Sequence, residues 1–127
     1  IKNYKIAMQK ATVEKNKDEM YYLVGKAEYE RAKHIRQLIR KKDGNVSIDE
    51  RNSAYRNTID NFTAYISKQP SIYDGKLIKV YRMLSEAYFG LRDKNNALRC
   101  IDMAIDLSDN DEIHVQYKEF IESGKRK

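Results

Sequence analysis

Apolar residues recur every three or four positions along most of the chain, with charged and polar residues filling the gaps. Tyr81, Leu84, Tyr88 and Leu91 follow this spacing, and Ala97, Ile101, Ala104 and Ile105 keep to one face in the same way. That is the period of an α-helix, not the alternation of a strand. Upstream, Tyr4, Ala7, Met8 and Ala11 place a short amphipathic helix at 3–16, closed by the polar run from Lys15 to Asp18. Asp18 is then the expected N-cap of the next helix, with Glu19 adding negative charge to its first turn. The stripe of that helix runs through Ala32, Ile35, Leu38 and Ile39 to about Lys42, where Asp43-Gly44-Asn45 breaks it. Gly44 suits a left-handed cap. Ser47-Ile48-Asp49-Glu50 reads as a capping box. It opens a helix carrying Ala54, Tyr55, Ile59, Phe62, Tyr65 and Ile66, which stops before Pro70. Asp109 and Glu112 cap a last helix at 111–123, whose apolar face is Ile113, Tyr117, Phe120 and Ile121. Gly124 to Lys127 forms a frayed basic end. The pattern predicts an all-α chain of about six helices in antiparallel succession.

Length and composition narrow this reading. A chain of 127 residues is one domain by size and can bury about two-thirds of its unfolded surface. One proline and five glycines leave few turns. The net charge of +6 favours acidic partners or anionic surfaces. A single cysteine excludes an internal disulfide framework, and no apolar run is long enough to span a bilayer. The chain begins at Ile1 within a helical pattern. It therefore reads as a domain cut from a longer protein, with any signal or anchor outside it.

The segment from Val80 to Asp109 resembles a tetratricopeptide (TPR) repeat. Tyr81 stands in the first aromatic slot, Leu84-Ser85 in the Leu-Gly slot, and Ala87 and Tyr88 where the two helices meet. Ala97, Ile101 and Ala104 match the second helix, and only the terminal proline is replaced, by Asp109. A second match starts at Tyr21, with Val24-Gly25, Ala27 and Tyr29 at corresponding offsets and Pro70 in the closing slot. There the helices run on past the family's turn, so the interval from Tyr21 to Tyr81 exceeds the usual period of about 34 residues. The resemblance implies a short right-handed TPR-like solenoid of antiparallel helix hairpins. Its parts are an N-terminal helix (3–16), a lengthened repeat (18–70), a regular repeat (78–111) and a capping helix (111–123).

A TPR array binds partners on its concave face, lined by the first helix of each repeat. Carried over residue by residue, this implies a partner-binding set of Tyr22, Lys26, Tyr29 and Lys33 in the first repeat. In the second it implies Lys79, Arg82, Glu86 and Phe89. Aromatics beside cations suit a peptide groove. The subtype that clamps C-terminal carboxylates is not expected, because its Lys and Asn slots hold Tyr22, Lys26 and Met83. Phe62, Tyr65 and Ile66 ahead of Pro70-Ser71, beside a lengthened first helix, are similar to TPR lipoproteins of bacterial envelope assembly. That narrower resemblance implies an envelope protein as partner and a periplasm-facing location in the cell envelope.

The remaining candidates have structural explanations. Lys33, Arg36 and Arg40 share a helix face with Lys41 and Lys42 at the tip of the hairpin 31–51, which is either a solvated face or a docking element. No aromatic interleaves them to stack a base, which argues against nucleic acid. Cys100 lies mid-helix without a neighbouring histidine, so it reads as a packed thiol rather than a nucleophile. His34 and His114 lack metal-ligand spacing with each other or with Cys100. Asp106, Asp109, Asp111 and Glu112 cluster near a turn without the glycine of a calcium loop. The sequon Asn61-Phe62-Thr63 lies inside a helix, with Phe62 facing the core. No phosphate loop, HExxH or nucleophile elbow occurs. The sequence thus predicts a non-catalytic protein–protein interaction module without cofactor or metal. Its alternatives are a basic helical nucleic-acid-binding domain and a self-association module.

Overall fold

A computed structural model of the chain describes the backbone of residues 2–41, 47–68, 70 and 75–124, with side chains described from residue 17 onward within these ranges. The described elements are five α-helices: α1 (Lys2–Arg40), α2 (Ile48–Ser67), α3 (Lys76–Gly90), α4 (Lys94–Leu107) and α5 (Glu112–Ser123). Five replaces the expected six because α1 passes through Lys15–Asp18 without a break. That run is polar but holds neither glycine nor proline, and its lysines are good helix formers. Asp18 is therefore an interior helical residue and not an N-cap.

The other boundaries follow local chemistry. Ser47 caps α2, its Oγ accepting the Glu50 amide at 3.1 Å, and Asp49 and Glu50 sit in the positive first turn. Asp93 caps α4 by accepting the Asn96 amide at 3.2 Å. The cap of α5 is Asp111, which accepts from the Ile113 amide at 3.2 Å. Asp109 does not cap. It and Asn110 hold φ of 55° and 64° in the turn, where the Asn110 amide reaches back to the Ile105 carbonyl at 2.9 Å. Gly124 closes α5 at φ 66°. The Asp43-Gly44-Asn45 break, Lys42, Ser71, the Lys125–Lys127 end and the side chains of Tyr4, Ala7, Met8 and Ala11 lie outside the described residues.

Each helix packs on the next in chain order, and α1 also touches α3. Along α1 and α2 the contacts run in opposite directions: Tyr22 meets the Tyr65 ring with centroids 5.6 Å apart, while Gly25 lies over Phe62 further along α1 and earlier on α2. The α3–α4 pair closes equidistantly about Leu91, with the Ser85 hydroxyl donating to the Ala97 carbonyl at 2.7 Å inside the core. Lys94 near the start of α4 reaches the Glu122 carbonyl near the end of α5. These three pairs are antiparallel.

Small residues set how closely the axes approach. Ala32, Ala54, Ala87, Ala97 and Ala104 are fully buried. A Cβ added to Gly25 would stand 2.6 Å from the Phe62 ring, and one on Gly90 would stand 2.5 Å from Tyr55. The main core gathers Tyr22, Tyr29, Phe62, Tyr65, Leu77, Val80, Met83 and Leu84 from α1, α2 and α3. A second cluster joins Ala97, Ile101 and Ala104 of α4 to Ile121 of α5. Tyr21 is half-buried, whereas Val24 and Ala27 point to solvent. Met20, Leu23 and Val24 form an exposed apolar strip opposite the packed face of α1. Ile113, expected on the packed face of α5, is 58% exposed, and Phe120 is partly exposed with its ring against Phe89 and Tyr117, while Ile121 and Tyr117 pack on the α4 cluster. Among the described residues, no helix is long and apolar enough to cross a membrane.

Candidate binding cleft between α1, α3 and α5

The 4-3-4-3 spacing of Tyr22, Lys26, Tyr29, Lys33 and Arg36 puts all five on one face of α1. Lys79, Arg82 and Glu86 do the same on α3, and Ile113, His114 and Tyr117 on α5. These faces meet at an open cleft of about 260 Å³. Its lining comprises Tyr22, Lys26, Tyr29, Ile78, Lys79, Arg82, Met83, Glu86, Ile113 and His114, and its accessible surface is nearly all apolar. Another hollow, of about 320 Å³, lies between Lys17, Asp18, Tyr21 and Lys68. It is mainly polar and, among the described residues, is lined by α1 and by Lys68 just beyond α2.

Two charged residues tie the cleft walls together. The Tyr29 hydroxyl donates to Glu86 Oε2 at 2.8 Å, linking α1 to α3. Arg82 Nε donates to the same carboxylate oxygen at 3.3 Å. From there the guanidinium reaches α5, donating to the Ile113 carbonyl at 3.3 Å and lying 4.0 Å above the Tyr117 ring. It also stands 3.4 Å from His114 Nδ1. A guanidinium has only donors, so Nδ1 accepts and the ring is neutral in this contact. Consistent with this, burial first and the Arg82 charge second lower the His114 pKa. Burial, reinforced by the Glu86 charge, pushes the Tyr29 and Tyr117 hydroxyls well above their ordinary range. Both stay protonated at any physiological pH.

The tyrosine faces are already occupied by cations. Lys33 Nζ lies 5.3 Å from the Tyr29 ring, Lys76 Nζ lies 5.3 Å from the Tyr22 ring, and Arg82 covers Tyr117. Lys26 and Lys79 differ. Both are exposed on the cleft rim and have no partner among the described residues. Arg36 Nε, on the same face of α1, is buried without an acceptor among the described residues.

Of the eight residues expected on the concave face, Tyr22, Lys26, Tyr29, Lys79, Arg82 and Glu86 line this cleft. Tyr22 and Tyr29 serve as buried floor rather than exposed anchors. Lys33 sits beside the cleft over Tyr29, and Phe89 packs edge-on against Phe120 at 5.6 Å, away from the lining. The sequence reading missed Ile78, Met83, Ile113 and His114. Ile113 is expected on the apolar face of the capping helix and His114 only as a histidine without metal-ligand spacing, whereas both face the cleft from α5. The basic run on α1 is not a uniform patch, since Lys33 and Arg36 turn inward and are half-buried.

Elsewhere, Cys100 is half-buried, and burial raises its thiol from 9.0 to about 11. Among the described residues no group of three His, Cys, Asp or Glu side chains could hold a metal ion. No protein-family model, curated protein sequence or solved structure matches the chain.

Proposed function

We propose that the chain is a non-catalytic protein–protein interaction module of the TPR kind, a short right-handed solenoid whose inner face holds a segment of another protein. The observation that carries this reading is the convergence of three non-consecutive helices on one cleft. α1, α3 and α5 supply its walls, while α2 and α4 back them. Alternation of lining and backing helices is what a stack of helix hairpins produces. Further support comes from the small residues at the hairpin contacts and from Ser85, which fills the repeat's glycine slot by bonding the facing helix. The narrower reading, a role in bacterial envelope assembly, rests on Phe62, Tyr65, Ile66 and Pro70 in and just beyond α2.

The test is affinity capture from the cells that make the chain, at low and high salt, comparing the wild type with Lys26→Glu/Lys79→Glu. Both lysines are exposed, so the variant should melt as the wild type does. The expected result is a protein retained by the wild type and lost from the variant. Retention of nucleic acid alone, released at high salt, would overturn the reading.

A further inference from the structure

The charges around the cleft do not balance, and the imbalance specifies what the cleft accepts. Among the described residues, Glu86 is the one acidic residue in the lining, and Tyr29 and Arg82 both bind it. Arg82 in turn is held by Glu86, the Ile113 carbonyl and the Tyr117 ring. This pair neutralises itself and closes the walls. Among the described residues, Lys26 and Lys79 are left as two ammonium groups without partners on the rim of an apolar hollow. Arg36, whose buried Nε has no acceptor among the described residues, lies on the same helix face outside the lining. A volume of about 260 Å³ falls below the range of about 300–1,000 Å³ common for small-molecule sites. It suits one or two apolar side chains.

We propose that the cleft selects an acidic segment of a partner protein, in which one apolar side chain sits on Tyr22, Ile78, Met83 and Ile113 while flanking carboxylates meet Lys26 and Lys79. This rests on the reading of the chain as an interaction module and names its partner's chemistry. Nucleic acid fits the same charge less well. Binding single strands needs open ring faces for base stacking, and the faces of Tyr22, Tyr29 and Tyr117 are taken by Lys76, Lys33 and Arg82. The occupant envisaged is an internal acidic stretch, since paired carboxylates on either side of the anchor satisfy both rim lysines.

A selection of random dodecapeptides displayed in vitro tests this on the whole chain, with wild type and Lys26→Glu/Lys79→Glu as parallel baits. The wild type should enrich peptides with Asp and Glu around a large apolar residue. The variant should bind those peptides about tenfold more weakly and enrich basic ones instead, because rim charges govern selectivity. Enriched peptides that are neutral or basic, or the same for both baits, would overturn the partner chemistry while leaving the interaction module standing. Tighter binding of a thymidine oligonucleotide than of any selected peptide would also overturn it. No enrichment by either bait would sink both this proposal and the module reading beneath it.

Discussion

Gly25 shows how much one absent methyl can decide. It lies in the interior of α1, where glycine costs about 1 kcal/mol relative to alanine in helix propensity. Yet an added Cβ would approach the buried Phe62 ring to 2.6 Å. Phe62 is fully buried and tilted against Tyr22 at 6.2 Å, so it has little room to yield. Overpacking should win, and Gly25→Ala is expected to destabilise the fold by about 1–3 kcal/mol in urea unfolding. A more stable variant would show that α1 and α2 stand further apart than described. Cys100 offers a pH-dependent check. Its folded pKa is raised, so the neutral thiol is favoured in the native state and the thiolate appears only towards pH 11. Alkylation by iodoacetamide in native buffer should keep accelerating with pH well above 9, whereas the unfolded chain should level off near the ordinary thiol range. Matching profiles would place the thiol in solvent.

At the scale of elements, period and caps carried most of the information. The registers of α2, α3 and α4 follow from their apolar spacing, and the Ser47 cap was legible because serine oxygen geometry is local. What misled was the run Lys15–Asp18, where polarity resembled a boundary. Helix ends need a group that stops propagation or caps the free amides, and nothing in that run stops it. Glu19→Pro separates the two readings. At the first position of a new helix, proline would be tolerated. Inside a continuous α1 it removes an amide bond and clashes with the preceding turn, costing about 3 kcal/mol. Reduced ellipticity at 222 nm and a lower unfolding midpoint are therefore expected, and wild-type values for both would restore a helix start at Glu19. Asp109 misled similarly. Three acidic residues lie within four positions of the turn, and backbone φ, which sequence alone does not reveal, decides that Asp111 is the cap.

For the whole molecule, six of the eight expected residues line one cleft because their three- and four-residue spacing puts them on faces of α1 and α3 that meet. Ile113 and His114 were not readable in the sequence, because whether those positions of α5 reach the cleft depends on how the helix lies on α4. Only the contact of Arg82 with Ile113 and Tyr117 makes that visible. The burial of Tyr22 and Tyr29 was likewise hidden. A tyrosine on an inner face can be floor or anchor, and the packing of Phe62 and Tyr65 beneath makes these two floor. That the α1/α3/α5 cleft holds another protein is our proposal. It is tested most directly by placing a photocrosslinking amino acid at Lys26, at Lys79, and at exposed Arg92 in the α3–α4 turn, in the cells that make the chain. One protein adduct shared by positions 26 and 79 and missing at 92 is the predicted result. Crosslinks from 92 alone, or the same adducts from all three, would contradict it.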